Sequence, residues 1–205
     1  GTNAGRVFGA KVGAIVIIID ILKSYLPVWG AWAILTFVSF GDKPLMADAF
    51  TMISQVGLDA YMIQWPVYWL VSIGVIFGHC FPIFAQFKGG KGVSTYAAII
   101  GTSWLFLIFY LISFLVTLKA KKFVSLSSIV SAITSVVVSW TWAILIMCNV
   151  IPQDWAWFPM MGWTLLGNWM FAIVTTVGAI LLIARHHGNI TRLINKTERK
   201  ISWMK

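Results

Sequence analysis

The chain is built of long apolar runs separated by short polar segments. A helix needs about 20 apolar residues to cross the hydrocarbon core of a bilayer. Five runs approach or exceed that length, and the pattern predicts membrane helices in them: Val12–Phe37, Tyr61–Phe77, Val93–Leu118, Phe123–Val150 and Trp157–Ala184.

The third run carries a turn signal, Gly101–Ser103, in its middle. Basic residues flank it on both sides: Lys88 and Lys91 come before it, and Lys119–Lys122 follows it. A single crossing would place one basic segment outside the cell, against the positive-inside rule. Two short helices folded back at the turn keep both segments in the cytoplasm, so we predict about six spans in all. One long span is the alternative.

Composition restricts the class of protein further. Of 205 residues, 60% are hydrophobic and 10% are charged, whereas soluble domains carry about 25% charged residues. This excludes a soluble enzyme, a disordered chain and a disulfide-stapled secreted domain. The net charge of +9 is interpreted against a membrane, and no nucleic-acid partner is expected. We predict an all-α, polytopic integral membrane protein, with residues 1–205 forming a single domain.

Two cysteines, Cys80 and Cys148, lie in apolar or glycine-rich stretches without metal-ligand or redox spacing. We interpret both as small core residues.

Three polar clusters lie in segments that the charge bias assigns to the cytoplasmic face. The first, Gly1–Arg6, opens the chain and is predicted as a loop. The second runs from Gly78 to Thr95, and the third from His186 to Glu198. Chemistry is therefore expected at one face of the membrane.

The glycine-rich part of the second cluster favours phosphate binding. Gly89, Gly90 and Gly92 allow backbone conformations in which N–H groups converge, and a helix is predicted to begin directly afterwards. Lys88 and Lys91 add positive charge. The alternative is a flexible basic loop that touches anionic lipid head groups, and the local pattern does not separate the two.

Two further features carry open alternatives. His186 either lies near lipid phosphates or binds or polarises a substrate, with Asn189 one helical turn away on the same face. Asp20 and Lys23 lie three residues apart inside the first span. Ionisable residues in a span are usually functional or paired, and the alternative is a mutual ion pair with Lys23 reaching to the interface.

Together the clusters form ordered, spaced motifs. The second contains Gly78-His79-x-x-Pro82-x-Phe84-x-x-Phe87-Lys88-Gly89-Gly90-Lys91-Gly92-Val93. The third contains His186-x-x-Asn189-Ile190-x-Arg192-Leu193 and then Thr197-Glu198. The first contains Thr2-Asn3-x-x-Arg6, with Asp20-Ile21-Leu22-Lys23 beyond it, and Val124–Ser128 adds a further match. This arrangement resembles the bacterial acyl-phosphate-dependent glycerol-3-phosphate acyltransferases, the PlsY family.

The resemblance implies a seven-helix fold in the bacterial plasma (inner) membrane with its active site on the cytoplasmic face. It implies transfer of a fatty acyl group from acyl phosphate to the sn-1 hydroxyl of glycerol 3-phosphate, giving lysophosphatidic acid and phosphate, the first step of phospholipid synthesis. No cofactor is expected, and the partners expected are the two substrates and membrane lipids, with a monomeric protein. The family's first helix and the start of its first motif would precede Gly1, so a chain truncated at its N-terminus is expected.

The resemblance also implies roles for individual residues. Catalytic roles are expected for His186, Asn189, Arg6 and Lys91, and no metal ligands are expected. Substrate phosphate is expected to bind Thr2, Asn3, Arg6, His79, Lys88, Gly89, Gly90, Lys91, Gly92 and Arg192. Supporting roles are expected for Asp20, Lys23 and Glu198. The competing classes are an anion permease and a lipid-binding membrane scaffold.

Overall fold

The computed structural model describes residues 2–40, 43–44, 68–148, 150–151 and 169–201, and nearly all of these are helical. The predicted all-α membrane fold is confirmed. A two-residue antiparallel pair, β1 (Ser39–Phe40) with β2 (Lys43–Pro44), and a 3-10 turn at Ile83–Ala85 are the exceptions within these ranges. The helices are α1 (Thr2–Phe8), α2 (Ala10–Phe37), α3 (Tyr68–Cys80), α4 (Val93–Ile100), α5 (Trp104–Lys121), α6 (Val124–Met147), α7 (Trp169–Arg185) and α8 (His187–Ile194).

The helices follow the predicted spans, but few of them are full crossings. In the described ranges, two segments of 22 residues are long and apolar enough to cross a membrane, Ala10–Ala31 in α2 and Val124–Leu145 in α6. Helices α7 and α8 meet at a bend of 59° and make a third span if they are taken together. The beginnings of the predicted spans at Tyr61–Phe77 and Trp157–Ala184 lie outside the described residues.

The predicted break in the third run is present, so a single long span is excluded. Helix α4 ends at Ile100, and α5 begins after Ser103, whose side chain accepts a hydrogen bond from the Phe106 N–H at 3.5 Å. The two helices are unequal, however. At 1.5 Å per residue, α4 is about 12 Å long and α5 about 27 Å, close to the thickness of the hydrocarbon core. The prediction of two short helices therefore holds for α4. Helix α5 is more than twice as long, although it is not among the described segments that are long and apolar enough to cross by themselves.

The opening segment is a helix and not the predicted loop. Helix α1 folds back on α2 after Gly9, whose φ of +91° favours glycine. The reversal works because glycines meet at the contact, where a Cβ on Gly5 would lie 3.5 Å from the Cα of Gly13. Small residues give helices in a membrane this close approach.

The interpretation of both cysteines as core residues is correct for one of them. Cys80 is buried at the end of α3, whereas Cys148 is exposed directly after α6. Its position past the last helical residue explains the exposure, since nothing in the apolar pattern marks where α6 ends.

A buried aromatic core holds the bundle together. The ring of Phe171 lies 4.8 Å from that of Trp69 and 5.1 Å from that of Phe106, measured between centroids. Helix α7 approaches this core closely at Gly178, where a Cβ would lie 2.8 Å from the Tyr96 ring. The small residue thus lets α7 pack directly on α4.

Buried hydroxyl groups fix how α4, α6 and α7 lie against one another. The Tyr96 hydroxyl lies 2.7 Å from Ser135 Oγ and donates to the Thr175 carbonyl at 3.1 Å. Ser139 Oγ lies 2.8 Å from Thr175 Oγ1. Since polar groups in a membrane interior need partners, these bonds position α4, whose first turn follows the glycine-rich segment.

Candidate active site

The second and third polar clusters meet at one end of the bundle. Lys91, in the turn before α4, donates from Nζ to Asn189 Oδ1 on α8 at 2.6 Å. The two residues are 98 positions apart in the chain. The contact unites the glycine-rich turn with the segment that follows α7.

Glu198 is the centre of a hydrogen-bond network around Asn189. Its Oε1 accepts from Asn189 Nδ2 at 2.7 Å and from Ser125 Oγ at 2.8 Å, and its Oε2 accepts from Arg192 Nε at 2.7 Å. An ammonium can only donate and a carboxylate can only accept. The Asn189 side chain, 7% exposed as a residue, is therefore oriented by Lys91 on one side and Glu198 on the other.

The backbone after α8 brings Glu198 back to this position. The N–H groups of Thr197 and Glu198 both donate to the Arg192 carbonyl, at 2.8 and 3.1 Å. Lys196, just before them, has a φ of +58°. This tight turn reverses the chain, so the carboxylate points at Arg192 and Asn189, six and nine positions earlier.

Arg185, the last residue of α7, fastens the glycine-rich turn. Its Nη2 donates to the Gly89 carbonyl at 2.9 Å and its Nε to the Gly90 carbonyl at 3.2 Å. The guanidinium also lies over the Phe81 ring, 5.1 Å from its centroid. Two planar donors suit two successive carbonyls, which a lysine could not bind in the same way.

The glycines of the turn are required for reasons that differ from the predicted one. The Gly90 N–H donates to the His79 carbonyl at 3.1 Å, so it does not contribute to a set of converging donors. A Cβ on Gly89 would overlap that carbonyl, and one on Gly90 would overlap His79 Nε2. Only Gly92 of the three has a positive φ, +77°. Small size, and not conformational freedom, is what the structure requires at Gly89 and Gly90.

His186 occupies the break between α7 and α8, and the break sets its tautomer. The His186 backbone N–H donates to the Ile183 carbonyl at 2.9 Å. The Leu182 carbonyl is therefore left for the ring nitrogen Nδ1, which lies 2.8 Å from it. A carbonyl only accepts, so in the neutral ring Nδ1 carries the proton and Nε2 presents a lone pair. The residue is 2% exposed, which makes it a candidate acceptor in a sheltered position.

A second carboxylate, Asp20, lies on the other side of the glycine-rich turn. It forms an ion pair with Lys23, accepts from Ser94 Oγ at 2.6 Å through Oδ2, and has Oδ1 3.5 Å from His79 Nδ1. The ion pair that the sequence suggested is therefore present. The Asp20 carboxylate also links α2 to α3 through His79 and to α4 through Ser94.

The remaining predicted site residues are only partly placed. The backbone of Thr2, Asn3 and Arg6 lies in α1, but their side chains lie outside the described part, so their roles stay predictions. Lys88 is exposed beside the turn.

Sequence reasoning missed three residues that hold the site: Arg185, Ser94 and Ser125. In the sequence, Arg185 is one of six basic residues that follow the last apolar run and form a basic tail. Ser94 follows the glycine motif by two positions, and Ser125 lies in the matching Val124–Ser128 stretch, so motif proximity was the available signal for both.

Fold and site together define a helical membrane protein with a cation-rich polar site at one end of its bundle. The family model described as "Glycerol-3-phosphate acyltransferase" matches residues 1–196. Curated glycerol-3-phosphate acyltransferases from Listeria monocytogenes serotype 4a (strain HCC23) and Staphylococcus carnosus (strain TM300) are each 33% identical to this chain. The alignments cover 99% of this chain and 78% and 80% of the relatives. The chain belongs to the glycerol-3-phosphate acyltransferase family.

Solved structures of PlsY, an integral membrane glycerol 3-phosphate acyltransferase, share the fold. Its lysophosphatidic acid form aligns with a TM-score of 0.63 and 23% identity over 98% of this chain and 78% of that one. Its glycerol 3-phosphate form aligns with a TM-score of 0.62 and 24% identity, over 98% and 76% of the two chains.

The contact between Gly90 and His79 can be tested with a suppressor. Gly90→Ala should lose most activity, because the added Cβ displaces the His79 ring and with it the turn that carries Lys91. The thermal midpoint in detergent should fall as well. Gly74→Ala is the matched control, since a Cβ there meets no atom within 4 Å.

If the ring is the obstacle, His79→Ala should restore much of the thermal stability lost in Gly90→Ala. A double variant that is as unstable as the sum of the two single variants would contradict this explanation.

The Glu198 network predicts a pH dependence of stability. Burial alone would raise the pKa of the Glu198 carboxyl, but hydrogen bonds from Asn189, Ser125 and Arg192 outweigh it and hold the pKa below its ordinary value of 4.5. A depressed carboxyl pKa contributes stability above the unfolded pKa, and that contribution is lost as the pH falls through the folded pKa. Wild type should therefore be more stable than Glu198→Gln near neutral pH, and the difference should shrink below about pH 4.5.

Thermal midpoints between about pH 6 and pH 3.5 measure this effect. Ser125→Ala removes one donor, so the folded pKa of Glu198 should be less depressed than in wild type. Its acid loss should therefore be smaller and complete at a higher pH. A constant difference in thermal midpoint between wild type and Glu198→Gln across that range would contradict the predicted contribution of the ionised Glu198 to stability.

Proposed function

We propose that this protein transfers a fatty acyl group from acyl phosphate to the sn-1 hydroxyl of glycerol 3-phosphate, forming lysophosphatidic acid and inorganic phosphate. The observation that carries the proposal is the hydrogen-bonded chain from Lys91 through Asn189 to Glu198. This chain of contacts joins the second and third motifs of a glycerol-3-phosphate acyltransferase family member at one polar site.

The charges at this end of the bundle suit two phosphate-bearing substrates. Lys91, Arg192 and the exposed Lys88 lie around the turn, and the predicted contributions of Thr2, Asn3 and Arg6 would add to them. The N-terminus of α4 follows Gly92 directly, and helix N-termini favour anions. Within the described ranges the carboxylates are Asp20 and Glu198, and both are already engaged by donors.

The reaction needs positioning more than covalent chemistry. The hydroxyl oxygen attacks the acyl carbonyl carbon, the bond from that carbon to the phosphate oxygen breaks, and its electron pair leaves with phosphate. The hydroxyl proton ends on the released phosphate. Lys91 and Asn189 would stabilise the negative charge, and His186 Nε2 would orient the hydroxyl and relay its proton.

Two competing functions are less well supported. An anion permease would place its ionisable groups near the midplane of the bilayer. Asp20 and Lys23 lie within an apolar span, but Lys91, Asn189 and Glu198 lie before α4 or after α7. A lipid-binding scaffold would need only exposed charge. It gives no reason for an amide held between an ammonium and a carboxylate.

We further propose that the site faces the cytoplasm of a bacterial cell. The Ile201 N–H donates to the Lys122 carbonyl at 2.8 Å, and Lys200 lies 5.6 Å from the Phe123 ring centroid. The basic α5–α6 turn is thus on the same side as the tail that carries Glu198. The positive-inside rule assigns that side to the cytoplasm.

The donor is tested with purified protein and glycerol 3-phosphate. Wild type should form lysophosphatidic acid from palmitoyl phosphate, with release of phosphate, and should fail with palmitoyl-coenzyme A. Lys91→Ala should raise the activation free energy that corresponds to kcat/KM by about 1.5–3 kcal/mol, the range for a charge-assisted hydrogen bond. Lys119→Ala removes an exposed charge at the end of α5 and serves as control.

Equal turnover of both donors would contradict the acyl phosphate assignment. Phosphate uptake into proteoliposomes without acyl transfer would favour the permease.

Orientation is tested at the two ends of α6. Cys148 is exposed past one end, whereas Lys121 precedes the other and Cys80 is buried. A membrane-impermeant maleimide should label Cys148 in intact cells. In a Cys148→Ser background, Lys121→Cys should be labelled only after permeabilisation, and labelling of Lys121→Cys in intact cells would reverse the orientation.

A further inference from the structure

We propose that Asp20 is a positioning residue that holds the glycine-rich turn, and through it Lys91, in register with Asn189. The proposal rests on the proposed function for the role of Lys91. Asp20 acts from α2 without touching the substrate, and its effect on catalysis passes through the turn.

The buried, apolar surroundings of Asp20 require more hydrogen-bond donors than an ion pair with Lys23 provides. The residue lies inside the membrane-crossing segment Ala10–Ala31 and is 5% exposed. A carboxylate in such a place is costly unless several donors satisfy it. An ion pair with Lys23 alone would leave Oδ2 without a donor, and in the structure Ser94 of another helix donates to that oxygen.

The partners of Asp20 lie at both ends of the turn. His79 belongs to the last turn of α3 and Ser94 to the first turn of α4, and Lys91 lies between them in the chain. The oxygen Oδ1 faces His79 Nδ1 at 3.5 Å, and Oδ2 accepts from Ser94 Oγ at 2.6 Å. One carboxylate thus fixes where the connecting segment starts and where it ends.

His79 passes this constraint on to the turn itself. Its carbonyl accepts the Gly90 N–H at 3.1 Å, and its ring fills the space beside Gly90. A shift of the ring would therefore move the residue next to Lys91. On the opposite side Asn189 is held by Glu198. The two partners of the Lys91–Asn189 bond are thus positioned by different carboxylates, Lys91 by Asp20 and Asn189 by Glu198.

A double-mutant cycle separates positioning from a purely structural role. Asp20→Asn, Lys91→Ala and the double variant are compared in the full chain, in detergent. If Asp20 acts through Lys91, Asp20→Asn should lower kcat/KM by about tenfold to hundredfold when Lys91 is present. It should lower it by less than about threefold in the Lys91→Ala background. The affected parameter, KM or kcat, should be the same one that Lys91→Ala changes.

Serine variants supply the controls and a second route to the answer. Ser94→Ala removes one donor while Asp20 keeps Lys23 and His79, so it tests the link even if Asp20→Asn does not fold. Ser94→Thr retains the hydroxyl and should restore the activity that Ser94→Ala loses. Ser24→Ala is the matched control, because the buried Ser24 hydroxyl donates at 2.6 Å to the Asp20 backbone carbonyl and not to its carboxylate.

The result is independent of the donor assignment. The cycle uses whichever acyl donor wild type accepts, and binding of radiolabelled glycerol 3-phosphate is measured in parallel, so a wrong donor leaves the cycle valid. Equal losses from Asp20→Asn with and without Lys91 would overturn the proposal. Wild-type kinetics in Ser94→Ala would also overturn it. So would a variant that contains less folded protein but whose folded molecules keep wild-type kcat/KM.

Discussion

The hydrogen bond from Lys91 to Asn189 is the contact on which the site depends. It joins two segments of the chain that fold on different helices, and each partner is already held by other groups. Asn189 is oriented by the Glu198 carboxylate, and Lys91 lies in a turn fastened by Arg185. The geometry of the bond is therefore a property of the whole end of the bundle and not of two flexible side chains.

A membrane imposes this kind of construction. In hydrocarbon, a polar group without a partner costs more than in water, so buried polar side chains must find one another. The hydroxyl of Tyr96 meets Ser135 and the Thr175 carbonyl, and Ser139 meets Thr175. The same bonds that satisfy these groups also fix the orientation of α4, which begins where the glycine-rich turn ends.

Much of this architecture was predictable from the sequence, because it follows from strong local signals. Apolar runs and basic segments locate the helices, and the conflict between two basic segments located the break at Gly101–Ser103. The motifs named the residues that meet in the site, including Lys91 and Asn189.

What escaped prediction depends on contacts between distant segments. Nothing in the apolar pattern shows that Gly5 and Gly13 allow α1 to fold back on α2. The glycine motif suggested converging N–H groups, whereas the N–H of Gly90 is used by His79 and its lack of a side chain makes room for the His79 ring. Arg185 looked like one more charge in a basic tail, since its two carbonyl acceptors are 95 and 96 positions away in the chain.

The helix break at His186 has a consequence for how freely the sequence can vary. The acceptor for the imidazole is the main-chain oxygen of residue 182, released because the His186 N–H bonds to residue 183. Every amino acid carries that oxygen, so the ring is held in one tautomer whatever side chain occupies position 182. Mutation at that position can alter the packing of α7, but it cannot remove the group that determines which nitrogen of the histidine is basic.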